Sequence, residues 1–470
     1  MTKPHFGFLA VRFRGGIRAA DKRRVVQHCH LETYQARHEL PGEAFAVVPV
    51  AGEPEPARHA RAHAALRRHR HVVRVDTVHA HAKGLVAVTD RIWVGVVDGP
   101  RGRAALAAVR GRGGVVVQRH GSDHLIRLPA GVDPRRECAA LARRAGVEYA
   151  EPDHVLVGHG FKSGRGRPAL RVQPSLDGIG LAQAWRRQPI DGRTVVALLD
   201  CGVDGRHPDL RGAITGSFDA TGRGGATRPA PWDSHGTECA GLVAGRGRAG
   251  GVRGVAAGGG FLPIRIGYTP TRLGDYVTKV SWFVAGIEWA WRHGADVLSM
   301  SFGGGPRATP ILKALARART EGRQGKGCVL VAAVGNSGVD GVEFPASAPG
   351  VIGVAATDRT GKPAAFSNRG AAVDLAAPGV NVTTLTIPDP TEDEPSLLYT
   401  DSGTSLSTPV VAGVAALVIA ADPSLRGDQV ARLLADTATR RGPRSKRIGA
   451  GVVDAAAAVA AAQECRNRRG

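Results

Sequence analysis

Between Thr194 and Thr357 the chain alternates short, almost unbroken apolar runs with helix-like stretches. The runs are TVVALLD, FLPIRI, GADVLSMS, GCVLVAAVG and VIGVAAT. A strand with one wet face alternates apolar and polar residues, so a run apolar at nearly every position is buried on both faces. Such strands, separated by helices, make a parallel sheet with helices on each side. The sequence therefore predicts an α/β fold, and sheets of this kind place their chemistry just beyond the C-terminal ends of the strands.

Two smaller zones come first. From Phe6 to Val78, FGFLAVRF, AFAVVPVA and HVVRVDTV bracket the helix-like AADKRRVVQHC and ARHARAHAALRRH. From Arg91 to His154 the order recurs: IWVGVVD, RGRAALAAVRGR, GVVVQRH, HLIRLPA, PRRECAALARRAG and VEYAEP. Both zones read β-α-β-β-α-β, a small α+β ferredoxin-like unit. The expected organisation is an N-terminal α+β module over 1–84, a second over 91–157, a Gly-, Arg- and Pro-rich linker over 158–173, and the α/β domain over 174–463.

Bulk properties narrow the function classes. The 470 residues are 43% hydrophobic and 22% charged, which is ordinary for a globular chain. The formal charge is +22, but the arginines are scattered and only 5% of residues are aromatic. No basic stripe interleaved with aromatics occurs, so a nucleic-acid partner is not expected. The longest clean apolar run, Val410 to Ala421, is too short for a bilayer, and no membrane partner is expected. The N-terminus MTKPHFGFLAVRFRGG lacks a signal pattern, which makes a cytoplasmic location the expectation unless the true start lies upstream. Six cysteines without a CxxC pair predict reduced, buried thiols rather than a disulfide scaffold or zinc ribbon.

Fourteen of the 17 histidines precede residue 161, which leaves His207, His235 and His293 for the α/β region. A serine nucleophile there needs a base from these three. His293 sits at a helix end in WRHGADVLSM, and His207 is fixed in the turn DGRHPDL. His235 begins a helix in DSHGTECAGLVAG, with Ser234 as its expected cap and small residues behind it, and is the best base. Asp200 ends the strand TVVALLD at the sheet's C-terminal edge, with Gly202 allowing a sharp turn. It is preferred to Asp204 and Asp209 as the carboxylate that orients the base. In DSGTSLSTPVVAG, Ser405 lies where a loop becomes a helix, and Pro409 is expected in the first turn. Backbone N–H groups at that end suit an oxyanion, and Asn336, after the strand in VLVAAVGNSG, supplies a side-chain donor.

Together these segments resemble the subtilisin-like serine peptidases, the subtilase or S8 family. VVALLDCGVDGRHPDL is similar to its aspartate motif, HGTECAGLVAG to its histidine motif, VAAVGNSG to its oxyanion-hole segment and GTSLSTPVVAG to its serine motif. GIEWAWRHGADVLSMSFGG, FPASAPGVIGVAATD, FSNRGAAVDLAAPGVNV and GAGVVDAAAAVAA extend the resemblance over Pro174 to Ala462. It implies a subtilisin-like fold, a triad of Asp200, His235 and Ser405, an oxyanion hole completed by Asn336, and substrate binding by Ser301, Gly303, Gly304 and Gly335. The chain departs from the family pattern at Cys201, Glu238, Leu406, Ser407 and Val410, none of which removes a catalytic group. Cys201 and Cys239 make sensitivity to thiol reagents an expectation.

VEYAEPDHVL resembles the family's inhibitory propeptide. The resemblance thus implies a serine endopeptidase made as a self-inhibited precursor and acting on proteins or peptides. Its own N-terminal region would be its inhibitor, cut by self-cleavage between Val155 and Lys162 and retained as an inhibitor until degraded. The competing readings are an idle binding protein on the same fold, a permanently attached docking module, and a nucleic-acid binder carrying a protease domain. No cofactor is expected; the family often binds structural Ca²⁺, but no dense oxygen-ligand loop is evident. The acidic loop Ile387 to Pro395 reads as solvated or as a recognition element for basic substrates or a cation, and the N-terminal histidines as surface residues or a pH sensor.

Overall fold

The computed structural model describes residues 4–29, 31, 38–39, 44–81, 84–158, 174–190, 192–230, 232–248, 251–270, 276–388, 396–439 and 443–469. The chain divides into two compact units: Met1–Gly160 with Thr269–Val284 and Ala308–Ile311, and the remainder. Most of the linker, the acidic stretch 389–395 and the bonds after Gly158 fall outside the described residues.

The first unit holds two β-α-β-β-α-β sets. Strands Pro4–Phe13, His38–Glu39, Phe45–Pro49 and Val72–His81 carry helices Ala19–His28 and Pro56–Arg68. Strands Gly84–Val96, Val115–His120, Asp123–Arg127 and Val147–Gly158 carry helices Pro100–Gly111 and Pro134–Leu141. Three of these helices begin at a proline, where the missing N–H is not needed. In both sets the spatial order is fourth, first, third, second strand. The sets join where Gly84–Val86 pairs antiparallel with His79–His81, so the second set begins at Gly84 rather than at Arg91. Each sheet–helix layer has its own core, one around Leu9, Val11, Val26 and Leu66 and the other around Ile92, Val109, Ile126 and Leu141.

Two later segments complete this unit, although the sequence reads them as part of 174–463. Tyr276–Lys279 adds to the sheet antiparallel to Val155–Gly158. Helix Val280–Arg292 follows, and Asp153 accepts hydrogen bonds from the Ser281 N–H at 2.9 Å and the Ser281 hydroxyl at 2.9 Å. Glu151 likewise accepts from the Thr309 N–H at 3.1 Å and from its hydroxyl, where helix Thr309–Glu321 begins. Carboxylates satisfy donors that a helix N-terminus leaves open and complement its dipole.

The second unit is built on seven parallel strands in the order Phe218–Asp219, Gly260–Arg265, Val195–Asp200, Val297–Met300, Val329–Ala333, Val351–Thr357, Leu375–Pro378. The apolar runs read from the sequence form its middle, and helices cover both faces. Val196, Leu198, Val297, Val329, Val331 and Val354 face helices His235–Ala244, Thr404–Ala421 and Ala455–Asn467 in one core. On the other face Gly286 of helix Val280–Arg292 lies so close that a Cβ there would stand 2.6 Å from Ile266 Cγ2.

Helix Thr404–Ala421 is buried at every residue but Ala420. It is the one helix among the described residues long and apolar enough to cross a membrane. The run from Val410 had read as too short because the polar first turn belongs to the same helix. Its environment is the protein core, where Gly413 packs against Val255 at a distance that excludes any side chain.

Candidate active site

Three strand ends and two helix starts converge in the second unit. Asp200 ends its strand almost wholly buried, and both carboxylate oxygens face His235 Nδ1, at 2.9 and 3.0 Å. Oδ1 also accepts the Cys201 N–H at 2.7 Å. The chain then reverses through Gly202, whose φ of 104° is open to glycine alone at low cost. That turn presents the Gly202 carbonyl to the helix beginning at His235, and a Cβ on Gly236 would lie 2.0 Å from it. The absent side chain at 236 thus lets His235 reach Asp200. Ser234 does not cap this helix with its hydroxyl, as the sequence suggests; the hydroxyl donates to Glu238 Oε1 at 2.7 Å.

Ser405 is the second residue of helix Thr404–Ala421. Asn336, after the neighbouring strand Val329–Ala333, accepts from the Thr404 N–H at 2.9 Å and the Thr404 hydroxyl at 2.8 Å. Its carbonyl end being held there, the amide Nδ2 is left for the Ser405 side. A Cβ on Gly403 would stand 2.8 Å from Ser405 Oγ and 3.6 Å from Asn336 Nδ2, so Gly403 keeps open the space both atoms border.

Pro409 lies beyond the first turn, a correction to the sequence reading. Its ring nitrogen cannot donate to the Ser405 carbonyl one turn back. Two side chains replace that donor: Ser301 Oγ at 2.9 Å and Cys239 Sγ at 3.4 Å. Ser301, expected among substrate-binding residues, is therefore buried with its hydroxyl on the nucleophile's backbone. Gly303 and Gly304 follow it, with the Gly304 N–H on the Phe344 carbonyl at 3.2 Å. Gly335 precedes Asn336, and both Gly303 and Gly335 lie against Glu343, a residue the sequence reading passed over. His207 bonds the Asp209 N–H and the Leu397 carbonyl, and His293 stacks on Trp289 at 4.0 Å, so neither competes as base.

Burial pulls the His235 pKa down, but the Asp200 carboxylate more than offsets this and holds it well above the usual histidine value. Cys239 Sγ is 4.0 Å from each ring nitrogen. Asp200, His235 and Cys239 are the only three such ligand-type groups brought within 4.8 Å among the described residues. Burial raises the Cys239 thiol above its ordinary value. The same argument changes the expectation of thiol-reagent sensitivity. Cys201 and Cys239 are both buried and both raised by burial, and neither presents a reactive sulfur.

A serine at a helix start, a carboxylate-paired histidine and an amide side chain, all at the C-terminal edge of one parallel sheet, are the groups that the class of serine-type peptidases uses. Residues 191–451 match the family model described as the subtilase family, Peptidase_S8. The chain is 36% identical over 268 residues to subtilisin DY of Bacillus licheniformis, covering 56% of this chain and 89% of the relative. It is 33% identical over 324 residues to subtilisin E of Bacillus subtilis, covering 68% and 77%. It resembles the solved structure of fervidolysin from Fervidobacterium pennivorans, a keratinolytic enzyme related to subtilisin, with a TM-score of 0.64 and 25% identity. That match covers 81% of this chain and 61% of fervidolysin, so the chain spans about three fifths of that relative's length. The chain belongs to the subtilase family, and it is a serine-type endopeptidase.

Glu238 sets a pH dependence of its own. It is buried one turn from His235, with Oε1 on Ser234 and Oε2 without a hydrogen-bond partner. Burial lifts its carboxyl from the ordinary 4.5 to about 7; Asp401 and Asp200 push the same way, and His235 and Ser234 push back. A carboxyl raised on folding adds stability below its unfolded pKa and loses it as pH rises through the folded one. From 4.5 to about 7, at about 1.4 kcal/mol per pKa unit, the loss above neutrality is about 3 kcal/mol. Glu238→Gln should therefore be more stable than the parent in denaturant titrations at alkaline pH, with the gap closing in acid. An equal difference at all pH values would show that Glu238 does not ionise in this range.

Proposed function

We propose that Asp200, His235 and Ser405 act as one triad and that the enzyme is made as a self-inhibited precursor. The observation that carries the triad is the two-oxygen contact of Asp200 with His235 Nδ1, which fixes the tautomer and leaves Nε2 to take a proton. In this reading Ser405 Oγ attacks a peptide carbonyl while His235 Nε2 accepts its proton. The tetrahedral oxyanion is met by the Ser405 N–H and the Asn336 amide. The imidazolium then protonates the leaving amine, and water resolves the acyl-enzyme by the same steps in reverse. The raised His235 pKa keeps the base protonated further into the alkaline range, so hydrolysis is expected to increase with pH beyond neutrality.

The precursor reading is supported within the first unit by the strand that ends at Gly158. It pairs with Tyr276–Lys279, a segment inside the family-matched residues, and its acids bond the starts of two helices from the same region. Val155 to Gly158 are paired on both sides, and a peptide bond inside a sheet cannot enter an active site. The self-cleavage window expected from the sequence therefore contracts to bonds beyond Gly158.

The proposed mechanism calls for no calcium. Asp209, a buried carboxylate beside the turn after Asp200, has Oδ1 on the Arg248 N–H at 2.6 Å and Oδ2 on the Val252 N–H at 2.8 Å. Both of its oxygens thus accept backbone N–H groups.

Ser405→Ala should abolish casein hydrolysis while the protein still folds, and it should remain full length where the parent splits beyond Gly158. Equal casein cleavage by variant and parent would overturn the triad, and a fully active, uncut parent would overturn the precursor. Asn336→Ala should lower kcat by about 10²–10³ with little change in KM, the loss measured for a lost oxyanion donor in subtilisin itself. Near-normal turnover would assign the oxyanion to another donor. Chelation with EDTA should leave the melting temperature unchanged; a fall would reveal a structural cation.

A further inference from the structure

Glu343 places its carboxylate between Gly303 and Gly335, the glycine next to Asn336. Strands Val297–Met300 and Val329–Ala333 are neighbours, and the chain leaves their ends as 301–304 and 334–336. Glu343 lies between these two exits. Its N–H donates to the Val334 carbonyl at 3.1 Å, and the next carbonyl, of Phe344, accepts the Gly304 N–H at 3.2 Å. The backbone is thus pinned to both exits. The side chain runs along the two glycines that line them. A Cβ on Gly335 would be 2.2 Å from Glu343 Oε1, and one on Gly303 would be 2.6 Å from Oε2. Asn368 Nδ2 donates to Oε1 at 3.1 Å and fixes the carboxylate's orientation. Arg369, the arginine next in the chain, is engaged by Asp340 at 2.7 Å.

We propose that Glu343 makes the pocket for the side chain on the acyl side of the scissile bond a cation site, so that the favoured substrates are peptides with Arg or Lys at that position. The inference rests on the triad reading. A carbonyl under attack by Ser405 with its oxygen at Asn336 carries its own side chain toward the slot that Gly335 and Gly303 border. Neither glycine carries a side chain that would come between an incoming residue and the carboxylate packed against them. A half-buried carboxylate there pairs with an ammonium or guanidinium and opposes an acidic side chain. An apolar side chain would fill the slot but leave the carboxylate desolvated against hydrocarbon.

The inference also bears on the precursor. Beyond Gly158 the sequence runs HGFKSGRGRPALR, with Lys162, Arg165 and Arg171 followed by ordinary peptide bonds, whereas Arg167 leads into Pro168. Self-cleavage is then expected after one of those three basic residues.

The test uses the full-length protein and a set of peptide anilides that differ only at the residue before the scissile bond: Arg, Lys, Phe or Glu. The parent should show kcat/KM for Arg and Lys at least about tenfold above that for Phe, the scale of one desolvated charge pair. Glu343→Gln should collapse the Arg-to-Phe ratio by a similar factor, and Glu343→Asp should keep most of it. Melting curves check that each variant is folded. A parent that prefers Phe, or a Glu343→Gln ratio equal to the parent's, overturns the proposal. The triad reading fails separately: it would show as no hydrolysis of any member of the set and no labelling of Ser405 by a fluorophosphonate.

Discussion

The carbonyl of Ser405 is the point on which the site's arrangement depends. Pro409 deprives it of its helical partner, and a buried carbonyl left unpaired costs about 1–3 kcal/mol. The structure repairs this with Ser301 and Cys239. Ser301 follows the strand Val297–Met300, and Cys239 lies one turn along the helix that begins at His235. One missing backbone hydrogen bond therefore ties the helix of Ser405 both to the exit of strand Val297–Met300 and to the helix of His235. Side chains that merely filled space at both 301 and 239 would leave that carbonyl unmet.

The second constraint is distance of approach. His235 reaches Asp200 only because Gly236 has no Cβ to meet the Gly202 carbonyl. Gly403 leaves the space before Ser405 Oγ and Asn336 Nδ2 open in the same way. Close approach in turn buries the charged groups. Asp200 is stabilised by the Cys201 N–H and by His235, whereas Glu238, with one oxygen unpartnered, is driven toward neutrality. For Glu238 burial is the largest influence, and its single hydrogen bond from Ser234 offsets only part of it.

Much of this was legible in the sequence because apolar runs and glycines report directly on sheets and close approaches. TVVALLD, GADVLSMS and GCVLVAAVG announced buried parallel strands, and their last residues announced where Asp200, Ser301 and Asn336 would emerge. Position within a helix was less legible. Pro409 was read as a first-turn residue because the polar GTSLST hid the true start at Thr404. Ser234 was read as a cap because local pattern does not show the buried acid at 238 that claims its hydroxyl. Glu343 was invisible for a different reason. Its significance lies in contacts with Gly303 and Gly335, far from it in sequence, and nothing in VEFPASAPG marks a carboxylate that faces a pocket.

Composition reads as a diffusely basic chain whose one acidic loop is Ile387 to Pro395. The side chains around the site form another acidic locus: Asp200, Glu238, Asp401 and Glu343 all belong to it or to its borders, within a chain of 63 basic and 41 acidic residues. At long range the net charge of +22 repels a cationic peptide. At physiological ionic strength that field decays over about 8 Å, whereas a pair formed inside a half-buried slot is screened much less. Selectivity for a basic side chain therefore rests on the last few ångströms of approach, where Glu343 and not the surface of the protein sets the potential. Such a site discriminates through the bound complex rather than through the rate of encounter, which suits an enzyme whose nearest basic segment is tethered on its own chain.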